Sequence, residues 1–503
     1  MLRDAAFATH EVLNQAPPLE GRNLFDDNAP LVEALEREGG GWARDRAREV
    51  GAAWGGDPIR WGFEANENPP KLKAFDRYGH RIDEVEFHRA WHDLMALAVR
   101  HELHSLPWTS EPARPGHVAR TALYLTAAQA EGGFACPITM TFAAVPALRA
   151  QPELAAAWEP RLTATTYDPV LRRVGGSDSE KASALCGMAM TEKQGGSDVR
   201  ANTTVAEPIG GGGPGGDYAL TGHKWFCSAP MCDLFLVLAQ TPEGVSCFAL
   251  PRILPDGTRN AMHLQRLKDK LGNRSNASSE IELHGAWARM VGEPGRGVPT
   301  IIEMVGHTRL DCVIGTAAGM RWGVANATWH AAHRSAFGRR LADQPLMRNV
   351  LADLCIESEA ATALAMRLAR AYDEADEHLR RLGTAVSKYW VCKRGPGHAF
   401  EALECLGGNG YVEESGMPRL YREMPLSSIW EGSGNVMALD VLRALSRSPE
   451  ALEAFFHEVD AAAGADARLD AFGAALRDEF ADHEAVEARA RRIVERMALA
   501  LQG

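Results

Sequence analysis

One carboxylate in this chain follows an aromatic residue and precedes a run of small ones, in Ser427-Ser428-Ile429-Trp430-Glu431-Gly432-Ser433-Gly434-Asn435. A carboxylate held against Trp430 is partly desolvated, which raises its pKa toward the range useful to a general base. Gly432 and Gly434 allow backbone angles closed to other residues and let a ligand approach the main chain. The helix pattern that resumes at Val436, Leu439, Leu442 and Leu445 adds free N–H groups at its start. The same residues also suit a plain helix start with an acid in its first turn. A second stretch, Met188-Ala189-Met190-Thr191-Glu192-Lys193-Gln194-Gly195-Gly196-Ser197-Asp198, offers close backbone N–H groups and a hydroxyl for a pyrophosphate. Thr191 can hydrogen-bond a heterocycle edge. Its alternative is an ordinary polar turn. Arg334, before Ser335-Ala336-Phe337-Gly338, carries a fork suited to phosphate oxygens, or else closes a helix.

These groups need rigid elements to hold them, and 503 residues at 46% hydrophobic content are enough for several domains. From Thr9 to about Ala184 the periodicity is helical, with breaks at Pro17-Pro18, Gly39-Gly40-Gly41 and Asn68-Pro69-Pro70. Val32, Leu35 and the Trp42 region share a face, as do Trp91, Leu94, Leu97 and Ala98. Near Cys186 the pattern changes to period two. Strands are expected over 218–220, 223–226, 234–239, 246–250, 264–267 and 279–283, forming an antiparallel β domain. The run Gly210 to Gly216 has neither the lysine of a P-loop nor the acid of a dinucleotide fingerprint, and reads as a hairpin tip. After Gly297 long helices return over 298–333, 344–372, 379–406 and 433–445, enough for a four-helix bundle. From Ser448 alanine and acids dominate, and a basic cluster closes a helical tail. The expected domains are therefore 1–184, 185–296, 297–447 and 448–503, mainly α with a central β domain.

The net charge of −12 excludes nucleic-acid binding over the whole surface, although a local basic patch can still meet phosphates. Nine scattered cysteines without a Cys-x-x-Cys spacing read as buried thiols of a reducing compartment. His88, His92, His101 and His104 have no carboxylate or cysteine at ligand spacing, so no metal is expected. His330 and His333 read as a polar helix face. The amino terminus lacks a long apolar core, and no stretch is apolar for the length of a bilayer, which makes the cytoplasm the expected location.

Leu406-Gly407-Gly408-Asn409-Gly410-Tyr411, Leu420-Tyr421-Arg422-Glu423 and Ile429-Trp430-Glu431-Gly432 together resemble the carboxy-terminal signature of the acyl-CoA dehydrogenase flavoprotein family. The resemblance implies an FAD cofactor and a fold of helical domain, β domain and helical bundle. It makes Glu431 the base that removes the substrate α-proton in α,β-dehydrogenation of an acyl thioester. It places Met188, Met190, Thr191, Gly195, Gly196 and Ser197 at the flavin. Gly222 to Ser228 resembles the next flavin strand, which adds Trp225, Phe226, Cys227 and Ser228. Arg334, Phe337 and Gln344 correspond to an element reaching the FAD of a neighbouring subunit, and Gly407 and Gly408 join the cofactor set with Ile429, Trp430, Gly432, Ser433 and Asn435. A homo-oligomer, usually a dimer of dimers, follows.

Some relatives carry the base on the helix after the β domain; here that segment is His307-Thr308-Arg309-Leu310, without an acid. From Thr9 to about Arg447 the chain is similar to the family's adaptive-response branch, as seen in Lys193-Gln194 and Glu404. That branch is regarded as poor in thioester turnover and is credited with a role on alkylated DNA. The alternative function is therefore a duplex-DNA-binding flavoprotein, with Arg443, Arg489, Arg491, Arg492 and Arg496 as the residues able to meet phosphates.

Overall fold

The computed structural model describes residues 9–175, 180–481 and 484–503. Helices α1 (Ala29–Arg37), α2 (Arg44–Trp54), α3 (Asp57–Glu67), α4 (Arg89–Arg100), α5 (Leu106–Thr109), α6 (Gly116–Ala127), α7 (Ala135–Leu148) and α8 (Pro152–Leu162) make the first unit. Trp91, Leu94, Met95 and Ala98 give α4 one buried stripe, the spacing that drives an amphipathic helix onto a core. The expectation of helix throughout fails between α3 and α4. There β1 (Lys71–Phe75) and β2 (Arg81–Glu86) pair antiparallel. Asp76 builds their turn by accepting from the N–H groups of Tyr78 and His80.

The β unit holds β3 (Cys186–Ala189), β4 (Val205–Ile209), β5 (Asp217–Ser228), β6 (Leu234–Thr241), β7 (Gly244–Pro251), β8 (Met262–Leu267) and β9 (Ser278–Val291). β4 to β7 and β9 close on one another through the order β6-β4-β5-β9-β7-β6, with β3 added to β6 and β8 to β9. The stretches expected at 218–220 and 223–226 are one strand, β5. The antiparallel expectation needs one correction, because β3 pairs with β6 in parallel and β4 touches β6 in parallel. The polyglycine run is the β4–β5 hairpin tip, with Ile209 opposite Asp217.

The third unit contains α9 (Gly297–His333), the small hairpin β10 (Ser335–Ala336) and β11 (Arg339–Arg340), α10 (Pro345–Asp373), α11 (Glu377–Glu404), α12 (Met417–Ser427) and α13 (Gly434–Arg447). α9 is buried on every side over much of its 37 residues and forms the axis against which α7, α10, α11 and α12 pack. The tail helices α14 (Glu450–Asp460), α15 (Ala467–Ala481) and α16 (Val486–Gln502) lay Phe455, Leu476, Ile493 and Met497 against Leu382 and Val386 of α11 and Met437 and Val441 of α13. Among the described residues no helix is long and apolar enough to cross a membrane, and all nine cysteines are free thiols.

Candidate active site

Glu431 lies in the loop that α12 delivers to α13. The left-handed backbone begins at the glutamate itself, with φ 58° at Glu431 and 109° at Gly432, while Gly434 is an ordinary helical residue. A non-glycine residue in that region is held there by its surroundings. The restraint comes from two buried cations. Lys388 of α11 donates to the Trp430 carbonyl at 2.8 Å and to the Gly432 carbonyl. Arg309 of α9 donates from Nε to the Glu431 carbonyl at 3.0 Å. Arg309 is fixed in turn by Asp440 of α13 at 2.9 Å, which also takes Arg381 at 2.6 Å.

The carboxyl group of Glu431 points inward. Its Oε2 is buried and meets no protein partner. Burial pushes its pKa above the ordinary carboxylate value, opposed by the Arg309 guanidinium, the Thr308 hydroxyl and the Lys388 ammonium. Among the described residues, the Glu431 N–H donates to no protein acceptor. Trp430 Nε1 is likewise buried without a partner.

α12 also anchors the opposite wall. Glu423 accepts from the Asn273 backbone and from Asn273 Nδ2 at 2.8 Å, which ties the loop before β9 to the helix leading into the base. Gly272 is required there, since a Cβ would lie 2.3 Å from the Arg422 carbonyl oxygen. Beyond it, Lys270 donates to the Asn276 carbonyl at 2.7 Å and to Ser278 Oγ at 3.0 Å. Ser278 meets the Ser228 hydroxyl at 3.2 Å. Burial lowers the Lys270 pKa to about 8. Both side-chain amide atoms of Asn276 are buried without a conventional partner. The Cys136 thiol of α7 lies against Asn276 and Ser228 and within electrostatic reach of Lys270 and Glu431, and burial raises it to about 11.

The glycine-rich turn after β3 joins this site through β5. The Trp225 N–H donates to the Thr191 carbonyl at 2.8 Å, and Asn202 Nδ2 donates to the Met190 carbonyl at 3.0 Å. Glu192 is the turn's internal anchor. It accepts from Lys224 Nζ at 2.7 Å, the Thr204 N–H at 3.1 Å, the Thr203 N–H at 2.7 Å and Gln194 Nε2 at 2.8 Å. The ammonium and these N–H groups hold its carboxyl far below the usual range. Gly195 and Ser197 face outward, and a Cβ at Gly196 would strike Thr191 Oγ1 at 2.4 Å. An exposed glycine-serine turn, the unpartnered Asn202 Oδ1 beside it and the half-exposed Phe226 are groups that fit a flavin. Lys268 lies 3.2 Å over the Trp225 ring and pairs with Glu280 at 2.8 Å.

The chain matches the family described as adaptive response protein AidB N-terminal domain over residues 14–169. It matches the acyl-CoA dehydrogenase middle domain over 187–286 and the acyl-CoA dehydrogenase C-terminal domain over 295–446. It is 49% identical over 445 residues to AidB of Escherichia coli (strain K12), covering 87% of this chain and 81% of that protein. The chain belongs to the acyl-CoA dehydrogenase family. Among solved structures, the Bd2924 apo-form superposes with a TM-score of 0.88 at 28% identity, covering 98% of each chain. Caenorhabditis elegans ACDH-11, in complex with C11-CoA, superposes with a TM-score of 0.88 at 26% identity, covering 99% of this chain and 90% of that one.

Within this acyl-CoA dehydrogenase fold the expected site residues divide into two groups. Met188, Met190, Thr191, Gly195, Gly196 and Ser197 lie on β3 and the turn after it, joined to Trp225 to Ser228 of β5 by the Trp225–Thr191 hydrogen bond, and Ser228 touches Cys136, which is within electrostatic reach of Glu431. Cys227 presents only main chain there, because its side chain is buried in the β core. Ile429, Ser433 and Asn435 are exposed around the base loop. The second group is remote from Glu431 in the same chain. Arg334 lies roughly 39 Å along α9 from Thr308 at 1.5 Å per residue. It donates to the Asn14 carbonyl at 2.6 Å, Phe337 is 98% exposed at the β10–β11 tip, and Gln344 donates to the Ala336 carbonyl at 3.1 Å. Gly407 and Gly408 are exposed beyond the far end of α11.

The arginines considered for DNA have partners inside the chain. Arg489, Arg492 and Arg496 converge on the buried Glu479 at 3.8, 3.4 and 2.6 Å. Arg491 donates to the Tyr389 hydroxyl at 3.2 Å, and Arg443 lies 3.7 Å from Asp440. Among the described residues no group of three or more His, Cys, Asp or Glu could hold a metal. Sequence reasoning overlooked Lys388, Asp440, Lys270 and Cys136 as parts of this site. The one available signal was Lys388 itself, a lone charge inside Ala385-Val386-Ser387-Lys388-Tyr389-Trp390-Val391.

Proposed function

We propose that this chain is an FAD-dependent oxidoreductase of the AidB type that removes hydrogen from the α and β carbons of an acyl thioester, with Glu431 as the base. The observation that carries the proposal is the Glu431 carboxyl group: its Oε2 is buried and unpartnered, burial raises its pKa, and it lies within electrostatic reach of Cys136, which touches Ser228 of the flavin-type strand. Met190, Thr191, Gly196, Ser197, Trp225 and Ser228 would hold the flavin. When bound, the flavin supplies the acceptor for the hydride leaving the β carbon. Glu431 takes the α-proton on a carboxyl oxygen, and its free backbone N–H is the donor this chain offers to the thioester oxygen as negative charge develops there. Trp430 and the pinned loop 271–276 exclude water from that face.

The β10–β11 hairpin and the Gly407-Gly408 turn, remote from their own base, support a homo-oligomer in which these elements serve a neighbour's flavin, a dimer of dimers by family likeness. The cytoplasm remains the proposed compartment. The likeness to AidB also supports the alternative of a duplex-DNA-binding flavoprotein with little turnover. Despite the internal pairing of the tail arginines, Arg443 and Arg492 keep well-exposed side chains.

Glu431→Gln tests the main proposal. The variant keeps its shape and its flavin, and bleaching by a panel of acyl-CoAs should slow on the order of 10²-fold or more. Equal bleaching rates in the two proteins would transfer the proton to another group.

A further inference from the structure

Lys388 is a buried ammonium whose partners are carbonyl oxygens. It is 1% exposed, and its hydrogen bonds go to Trp430 and Gly432, the two residues flanking the base. Among the described residues no aspartate or glutamate lies within ion-pair distance of it. An isolated buried cation is costly, and folds normally supply a carboxylate beside it.

The surrounding charges show what remains. From α9, Arg309 faces the base loop but is paired with Asp440, and Asp311 is fully engaged by Arg120 at 2.6 Å. From α13, Asp440 is shared by Arg309 and Arg381. From α9 and α11, the Cys312 and Cys392 thiols stay neutral because burial raises them. From α7, the Cys136 thiol is neutral for the same reason. Lys270, on the far wall, is a second and more distant cation. Among the described residues, Glu431 is thus the carboxylate within electrostatic reach of Lys388 that forms no ion pair; Arg309, tied to Asp440, also acts on it, and the glutamate's Oε2 meets no protein partner.

We propose that Lys388 is the positioning residue of Glu431 and, together with Arg309, its counter-charge, holding the loop by its carbonyls and favouring the ionised form of the carboxyl group. Two tasks are combined in one side chain. The hydrogen bonds to residues 430 and 432 fix the left-handed turn at 431, and the positive charge offsets the desolvation of the carboxylate. A neutral donor could perform the first task but not the second. The assignment deepens the reading of Glu431 as a base, and its test needs no turnover.

The measurement is the carboxylic-acid carbonyl stretch of Glu431 in infrared difference spectra of the full-length, flavin-loaded protein across a pH series. The band is assigned by its absence in Glu431→Gln. Lys388→Gln keeps an amide donor for the loop and removes the charge, so the titration midpoint should rise by about one pH unit or more. Lys388→Arg keeps the charge and should stay near the wild-type midpoint. A wild-type midpoint in Lys388→Gln, with the thermal melt unchanged, overturns the counter-charge assignment. If Lys388→Gln does not fold, Lys388→Arg decides: a midpoint raised despite the retained charge also overturns it. Full turnover in Glu431→Gln together with a raised midpoint in Lys388→Gln would end the dehydrogenase reading and leave this assignment standing.

Discussion

Glu192→Gln should destabilise the β unit and loosen the turn that would cradle a flavin. The glutamate and Lys224 are both fully buried at 2.7 Å, and among the described residues the lysine's other hydrogen bond is to the Leu238 carbonyl. Glutamine preserves the shape and most acceptor positions, but leaves an ammonium in the interior with no counter-ion. Breaking a buried pair in this way costs about 3–5 kcal/mol. The lysine can limit the loss by releasing its proton. Doing so at pH 7 from an ordinary pKa near 10.4 costs roughly 5 kcal/mol at 1.36 kcal/mol per unit, which sets the ceiling. The deficit should therefore shrink by about 1.4 kcal/mol for each pH unit once the lysine is neutral. Urea unfolding followed by tryptophan fluorescence, at several pH values and with flavin retention measured alongside, gives the numbers. Glu192→Gln/Lys224→Met removes both charges and should recover most of the loss. A single variant within about 1 kcal/mol of wild type at pH 7, or no better at pH 9, would refute the reasoning.

Acid should release bound flavin through the same residue. The Glu192 carboxyl is held far below its unfolded value, so its stabilisation is full above about pH 4.5 and is lost as pH falls below that; flavin fluorescence during acid titration reads the release. Asp311→Asn strands Arg120, which is 1% exposed, lies 3.6 Å over the Phe142 ring and donates to the Leu103 carbonyl. The single variant should lose about 3–5 kcal/mol in denaturant unfolding, with much of it recovered in Arg120→Met/Asp311→Leu. Glu479→Gln removes the carboxylate that Arg492 and Arg496 share. If this surface meets duplex DNA, affinity and its salt slope should both increase in a fluorescence anisotropy series, and an unchanged slope would place any DNA contact elsewhere.

The parts of this molecule that were legible in its sequence are those whose signals are local. Long uninterrupted periodicity gave α9, α10 and α11 to within a few residues, and short apolar or alternating runs gave β6, β7 and β8, β5 as two pieces and the first part of β9. β3 carries no such signal, because its ladder partner, β6, lies more than forty residues away in the chain and pairs in parallel. The β1–β2 hairpin was overlooked because its turn, Asp76-Arg77-Tyr78-Gly79, relies on an aspartate side chain and not on an Asn-Gly or Asp-Gly pair. The same distinction runs through the candidate site. Glu431, Trp430 and the Thr191 to Ser197 turn announce themselves by residue type and spacing. The groups that hold them do not, because Lys388 and Arg309 bind backbone carbonyls, and a carbonyl is the same at every residue. Even the strained position was concealed, since Gly432 appeared to be the residue chosen for unusual angles while the turn begins one residue earlier, at the glutamate. A buried lysine in an apolar helix remains the clue that such a backbone clamp leaves in a sequence: an ammonium there must find oxygen atoms, and where no carboxylate is available, main-chain carbonyls at a loop that cannot hold its own shape are the partners that remain.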